Sequence, residues 1–324
     1  MTRSLLTAVV GLAGYAALNV TLSAIVALTW RLQMGSRPDA SAASRARQLV
    51  WLRALPSAGA ALLVSAVVVP AFVIFEPVTP AETSGPLVTG FALIALSQIA
   101  LAMWMAVSAA ARTRRAAHAW LQSSTPLDLD PPAGVPAYAI DSAAPIVALV
   151  GVFWPRLVAA RSVIAACTTD ELSSIVAHER GHVRSRDNLK RWLMACAPDA
   201  LRWSSVHAEI VTAWHHAAED AADDVAAGTD AGARVDLAAL LVKIARLTPE
   251  PTWPAAMVCP FIERDGLDRR VRRLVGADVV TVCRWPGAAT AAICLGGGVL
   301  TALSNPGVLE GTYEVIEALI AFGR

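Results

Sequence analysis

Thr168-Thr169-Asp170-Glu171-Leu172-Ser173-Ser174-Ile175-Val176-Ala177-His178-Glu179-Arg180-Gly181-His182 combines a helix start signal with a chemically loaded helix face. Thr168-x-x-Glu171 has the spacing of a capping box, in which the hydroxyl and the carboxylate each take up a backbone N–H that the first turn leaves unpaired. The spacing predicts a helix from there to about Val183. Residues four apart share a helix face, so His178 and His182 present both imidazoles to one side. Two such nitrogens can hold one Zn²⁺ at about 2.0–2.1 Å each, with Glu179 beside the position left for water. The competing reading is a solvated helix with two incidental histidines.

A catalytic zinc site commonly takes three protein ligands and a water. The next long helical pattern, about 203–227, contains Glu219-Asp220-Ala221-Ala222-Asp223. Glu219 would complete a His₂Glu set. Asp223, one turn on, would accept the free N–H of a ligand imidazole and fix its tautomer. His215, one turn before Glu219, is the rival third ligand. Asp220 and Asp224 are expected on a solvated acidic face, and His118, His207 and His216 at surfaces or interfaces.

Outward from this pair of helices the chain changes character. Hydrophobic residues make up 56% and charged residues 16% of the 324, with a mean hydropathy of +0.52. An ordinary soluble domain is about 25% charged. Between Arg3 and Arg31 lie 27 uncharged residues, between Arg53 and Glu76 22, between Glu82 and Arg112 29, and between Arg284 and Glu310 25. A membrane-spanning helix needs about 20 apolar residues. Four spans are therefore predicted, near 5–29, 54–75, 87–110 and 286–304. The first run is too long for a signal-peptide core, which holds about 7–15 residues. Arg31, Arg37, Arg45, Arg47 and Arg53 crowd one loop, Arg112, Arg114 and Arg115 follow the third run, and Arg284 precedes the fourth. The positive-inside rule then puts the N-terminus outside, residues 112–284 in the cytoplasm and the tail 308–324 outside. The expected organisation is a three-helix membrane domain (1–111), a cytoplasmic domain (112–284), a fourth span (285–307) and a short extracytoplasmic tail. The segment Val308–Phe322 is expected as an amphipathic helix.

The cytoplasmic segment holds 20 basic and 20 acidic residues, so no basic surface marks it for nucleic acid. Residues 137–166 read as three short strands broken near Ser142–Pro145 and Trp154–Pro155. Helices are expected at about 168–183, 187–197, 203–227, 231–247 and 263–275. The five cysteines show no C-x-x-C spacing, which argues against a disulfide framework or a cysteine zinc site. The predicted spans hold no Asp, Glu, Lys, Arg or His, which argues against a transporter or channel. A catalytically silent membrane scaffold is the non-enzymatic alternative.

Gly151-x-x-x-Pro155-Arg156, Thr169-Asp170-Glu171-Leu172, His178-Glu179-Arg180-Gly181-His182, Arg186-Asp187-Asn188-Leu189 and Glu219-x-x-x-Asp223 together resemble the membrane metallopeptidases of the MecR/BlaR type. The resemblance implies a mainly α, four-span membrane protein with a cytoplasmic α+β, zincin-like metalloprotease domain inserted between spans three and four. It implies one Zn²⁺ held by His178, His182 and Glu219, with Glu179 as general base and Asp223 behind the ligands. It further implies an endopeptidase of gluzincin type, acting in signal transduction by cutting a transcriptional repressor or itself. Arg270-Val271-x-x-Leu274 resembles a late motif of related membrane proteases, and an ordinary helix face with an Asp268–Arg272 ion pair reads it equally well. No penicillin-binding sensor sequence follows the fourth run. A quality-control membrane protease of the HtpX sort shares the same two motifs.

Overall fold

The computed structural model describes residues 2–33, 41–77, 84–127, 134–142, 146–247, 258–260, 266–276, 297, 301 and 304–321. Among them, three helical stretches are long and apolar enough to cross a membrane: Arg3–Leu32, Ala42–Phe75 and Pro86–Leu121. The first is α1 (Arg3–Gln33). The second is α2 (Ala42–Leu63), a wide π turn at Val64–Val68, and α3 (Val69–Phe75). The third is α4 (Pro86–Leu121). Pro70 accounts for the wide turn: it has no N–H to give, and its ring crowds the carbonyl one turn back. The expected fourth span, near 286–304, lies almost wholly outside the described residues.

The second stretch begins at Ala42 rather than near residue 54. Its first turns carry Arg45, Arg47 and Arg53 and pack against both the first apolar helix and a helix of the second half of the chain. α4 likewise runs on past residue 110 to Leu121.

Beyond α4 the chain forms β1 (Thr125–Pro126), β2 (Ala137–Ile140), β3 (Val147–Val150) and β4 (Arg156–Ala160). Helices α5 (Arg161–Ala166), α6 (Thr169–Ser185), α7 (Asp187–Cys196), α8 (Ser205–Ala227) and α9 (Ala231–Leu247) follow. Strand β5 (Val258–Pro260), α10 (Leu267–Leu274) and α11 (Pro306–Ala321) complete the described elements. The strands form one sheet in the order β1-β2-β4-β3-β5. β2 and β4 run parallel, with Ala137 opposite Leu157, and the other pairs are antiparallel. All four residues of β3 are buried, which explains why 146–150 reads as an unbroken apolar run instead of an alternation. The last of the three strands expected over 137–166 ends at Ala160, and residues 161–166 are α5.

Two cores hold the site between them. One packs the sheet against α6 and α9 through Leu149, Leu157, Ile175, Val176, Leu241 and Ile244. The other packs α8 against α1 and α2 through Ile210, Trp214, Val26, Leu49 and Leu52. The tail helix α11 forms as expected and seats Ile316 and Ile320 on Leu6, Val10, Phe72 and Val88 of the apolar bundle. Tyr313 donates to Glu76 Oε2 at 3.1 Å.

Candidate metal centre

The capping box closes as its spacing predicts. Thr168 Oγ1 accepts the Glu171 N–H at 3.3 Å, and Glu171 Oε2 accepts the Thr168 N–H at 2.7 Å. Lys243 of α9 anchors Glu171 from the other side at 2.6 and 2.9 Å. The helix ends at Arg186, whose φ of 54° is left-handed, and α7 starts at the next residue. This sharp corner returns Asp187 to the face that carries both histidines: its Oδ2 lies 2.8 Å from His182 Nδ1. Asn188 pins the corner to the sheet by donating to the carbonyls of Leu149 (3.1 Å) and Gly151 (2.8 Å). Gly151 sits at φ +113°, and a Cβ there would lie 2.6 Å from the Trp154 carbonyl oxygen, so glycine is required at that turn.

The two motif helices meet at Gly181. A Cβ at that position would lie 2.9 Å from Ala222 Cα and 3.2 Å from its Cβ. The missing side chain lets α6 and α8 approach closely enough for Glu219 to face both histidines. Gly181→Val is expected to force the helices apart, cost about 1–3 kcal/mol of stability, and lower metal affinity. Thermal unfolding together with zinc titration checks this, and unaltered zinc affinity would show that helix spacing does not set the ligand geometry.

His178 Nε2 and His182 Nε2 lie 3.1 Å apart. Glu219 Oε2 is 3.6 Å from the first and Glu219 Oε1 is 3.5 Å from the second. All three side chains are buried, and they make up a group able to hold a metal ion. Each imidazole has its other nitrogen against a carboxylate: His178 Nδ1 is 3.0 Å from Asp223 Oδ1, and His182 Nδ1 faces Asp187. A carboxylate there places the N–H on Nδ1 and aims the Nε2 lone pair forward. Two lone pairs and a carboxylate thus converge on one buried point, an arrangement that a cation stabilises. Tetrahedral zinc with bonds of about 2.0–2.1 Å sets its ligand atoms about 3.3–3.4 Å apart. The observed separations fit that ion.

Glu179 is fully buried beside this point, and neither of its carboxylate oxygens has a hydrogen-bond partner among the described residues. Burial pushes its carboxyl up to about 8, against the opposing pull of His182. Glu219 behaves differently. Burial would raise it too, but the Arg270 guanidinium beside it overrides this and holds it well below the ordinary carboxylate range. Asp223 is held low by the same balance. Arg270, itself buried, donates from Nε and Nη2 to the two Asp223 oxygens at 2.9 and 2.6 Å, and its Nη1 lies 3.0 Å from Glu219 Oε2.

His178, Glu179, His182, Glu219 and Asp223 are therefore brought together. His215 is not in the group; its Nδ1 meets Arg191 of α7 at 2.8 Å. His207 is half-buried and receives Arg53 Nε at 2.9 Å, and His118 is exposed. His216 sits at the α8–α10 contact, where Arg269 reaches its carbonyl at 3.3 Å. The solvated reading of Asp220 is wrong. It is buried, with Arg45 of α2 at 2.5 Å and Arg269 at 2.6 Å. Asp224 is partly exposed and pairs with Arg273 at 2.5 Å. The arginine string of α10 lies along the acidic string of α8, and Arg45 of α2 adds a second partner for Asp220. The Asp268–Arg272 pair expected on an ordinary helix face also exists, at 2.9 Å on the outer face of α10. Asp187 and Asn188 carry no role in the sequence reading. Their signal was their position immediately after the motif helix.

Residues 93–248 match the family model described as Peptidase family M48, a family of zinc metallopeptidases. The match starts within α4, ends after α9, and contains both histidine and both acidic motif positions while leaving out Arg270. No curated protein and no solved structure matches the chain.

Proposed function

We propose that the chain is an integral-membrane zinc endopeptidase that hydrolyses peptide bonds at the cytoplasmic membrane face. The observation that carries this reading is the convergence of His178 Nε2, His182 Nε2 and the Glu219 carboxylate beside a buried, unpartnered Glu179. The metallopeptidase family match over 93–248 and the three long apolar helices support it. The basic flanks support an outside N-terminus and a cytoplasmic metal centre.

Zinc held by His178, His182 and Glu219 would supply Lewis acidity to the scissile carbonyl and acidify a water. Glu179 takes the proton of the attacking water and returns it to the leaving nitrogen. Asp223 and Asp187 keep both imidazoles turned with Nε2 forward. Arg270 keeps Glu219 and Asp223 ionised in a buried setting.

Metal analysis of detergent-purified protein tests the site. About one zinc per chain is expected in the wild type, with loss in His178→Ala and Glu219→Ala. Zinc retained in Glu219→Ala would overturn the third ligand. A folded wild type that takes up no zinc would favour the scaffold reading.

The finer assignment is a MecR/BlaR-type enzyme that cuts a cytoplasmic repressor or itself in response to a signal. It is supported by the motif set around Gly151, His178 and Arg186. Selective cleavage of one repressor is its expected signature, whereas cleavage of many misfolded membrane proteins would indicate a quality-control protease of the HtpX sort.

A further inference from the structure

The connection between α7 and α8 is held at a depth that belongs to the apolar bundle. Tyr15 Oη donates to the Pro198 carbonyl at 2.7 Å, and Asn19 Nδ2 reaches the same oxygen at 3.1 Å. Asn19 Oδ1 accepts the Ala200 N–H at 2.9 Å. Ser57 Oγ donates to Asp199 at 2.7 Å, and Trp192 Nε1 donates to the Ala106 carbonyl at 3.2 Å. Asn19 stands twelve residues before Arg31, Ser57 four after Arg53 and Ala106 six before Arg112. At 1.5 Å per residue these are about 18, 6 and 9 Å on the apolar side of each basic flank.

Non-helical backbone is stable at membrane depth only where protein groups satisfy it. Tyr15 and Asn19, inside the uncharged run 4–30, do this for Pro198 and Ala200. Around the same connection, apolar side chains point outward. Trp203 is 72% exposed and Leu193 52%. Trp154, in the turn between β3 and β4, is 80% exposed, and its neighbour Phe153 packs edge-on against Trp192 with ring centres 5.7 Å apart. This patch adjoins the apolar outer face of α4, where Trp104 is also exposed. Tryptophan is suited to the boundary between headgroups and acyl chains.

We propose that residues 192–203, with Phe153 and Trp154, form a wedge inserted into the cytoplasmic leaflet, so that the catalytic domain is seated in lipid as well as tethered to it. The proposal rests on the membrane reading above. Its consequence concerns substrates. α7 alone separates Asp187, the partner of His182, from the lipid-level Cys196, a rise of about 14 Å. The bonds within reach are those of juxtamembrane segments.

The test uses full-length protein in phosphatidylcholine–phosphatidylglycerol nanodiscs, with the native cysteines replaced by serine and nitroxide labels at single introduced cysteines. Collision with oxygen reports lipid, and collision with a polar nickel chelate reports water. Leu193→Cys, Trp203→Cys and Trp154→Cys are expected to favour oxygen, like Met103→Cys on α4 and unlike Ala231→Cys on the exposed start of α9. Three wedge positions are read in parallel, so that one misfolded variant does not decide the outcome. Nickel-favouring labels at the wedge with an oxygen-favouring Met103→Cys would overturn the wedge and leave the membrane reading standing. A nickel-favouring Met103→Cys would overturn the membrane reading itself. Wedge labels shielded from both reagents would mean that protein, not lipid, covers the patch, and would overturn the proposal.

Discussion

Glu179→Gln is expected to retain about one zinc per chain and to hydrolyse peptides about 10²–10⁴-fold more slowly than the wild type. The substitution preserves the volume and burial of a side chain that makes no hydrogen bond among the described residues, so the fold has little reason to respond. It removes a group able to accept a proton beside the converging side chains of His178, His182 and Glu219. Casein or a quenched fluorescent peptide, incubated with zinc-matched samples of both proteins, measures the difference. Full zinc-dependent hydrolysis by the variant would end the assignment of Glu179 as the base. Loss of zinc together with activity would instead place Glu179 in the ligand set.

Arg270→Ala is expected to be the most damaging substitution outside His178, His182 and Glu219. It leaves Glu219 and Asp223 buried, 4% and 0% exposed, without the cation that holds them ionised. Removing one partner from a buried ion pair costs about 3–5 kcal/mol. Once uncompensated, either carboxyl takes up a proton more readily, which weakens Glu219 as a ligand and Asp223 as the acceptor behind His178. The expected result is a lower unfolding temperature and weaker zinc binding together. Arg270→Lys should recover part of the stability, since a charge returns without the two-pronged geometry. A stable Arg270→Ala protein with wild-type zinc affinity would show that the two acids need no partner.

Arg270 also shows what a sequence can and cannot disclose. Its motif was visible, but its role was not, because its partners lie 47 and 51 residues back in the chain. The same holds for Asp220. An acid in a run of acids reads as solvated when its neighbours are known only along its own helix. Arg45, 175 residues before it, buries it. Arg45, Arg47 and Arg53 read along the chain as a basic loop, since composition gives their charge and not what they touch.

Local chemistry is what the sequence determined by itself. The α6 cap, the shared face of His178 and His182, the spacing of Glu219 and Asp223, and the lengths of the first three apolar helices all follow from contacts within one or two helical turns or from run length alone. The tertiary structure decided everything that depends on two distant elements meeting. It brought Glu219 to the histidines through the bare backbone at Gly181, and it folded Asp187 beneath His182 through the left-handed Arg186. It neutralised the acidic face of α8 with α10 and drew the α7–α8 connection down to Tyr15 and Asn19. The physical reason is range. Capping and helical periodicity act over a few residues, whereas burying a charge or a bare carbonyl requires a partner that only the packed chain can bring.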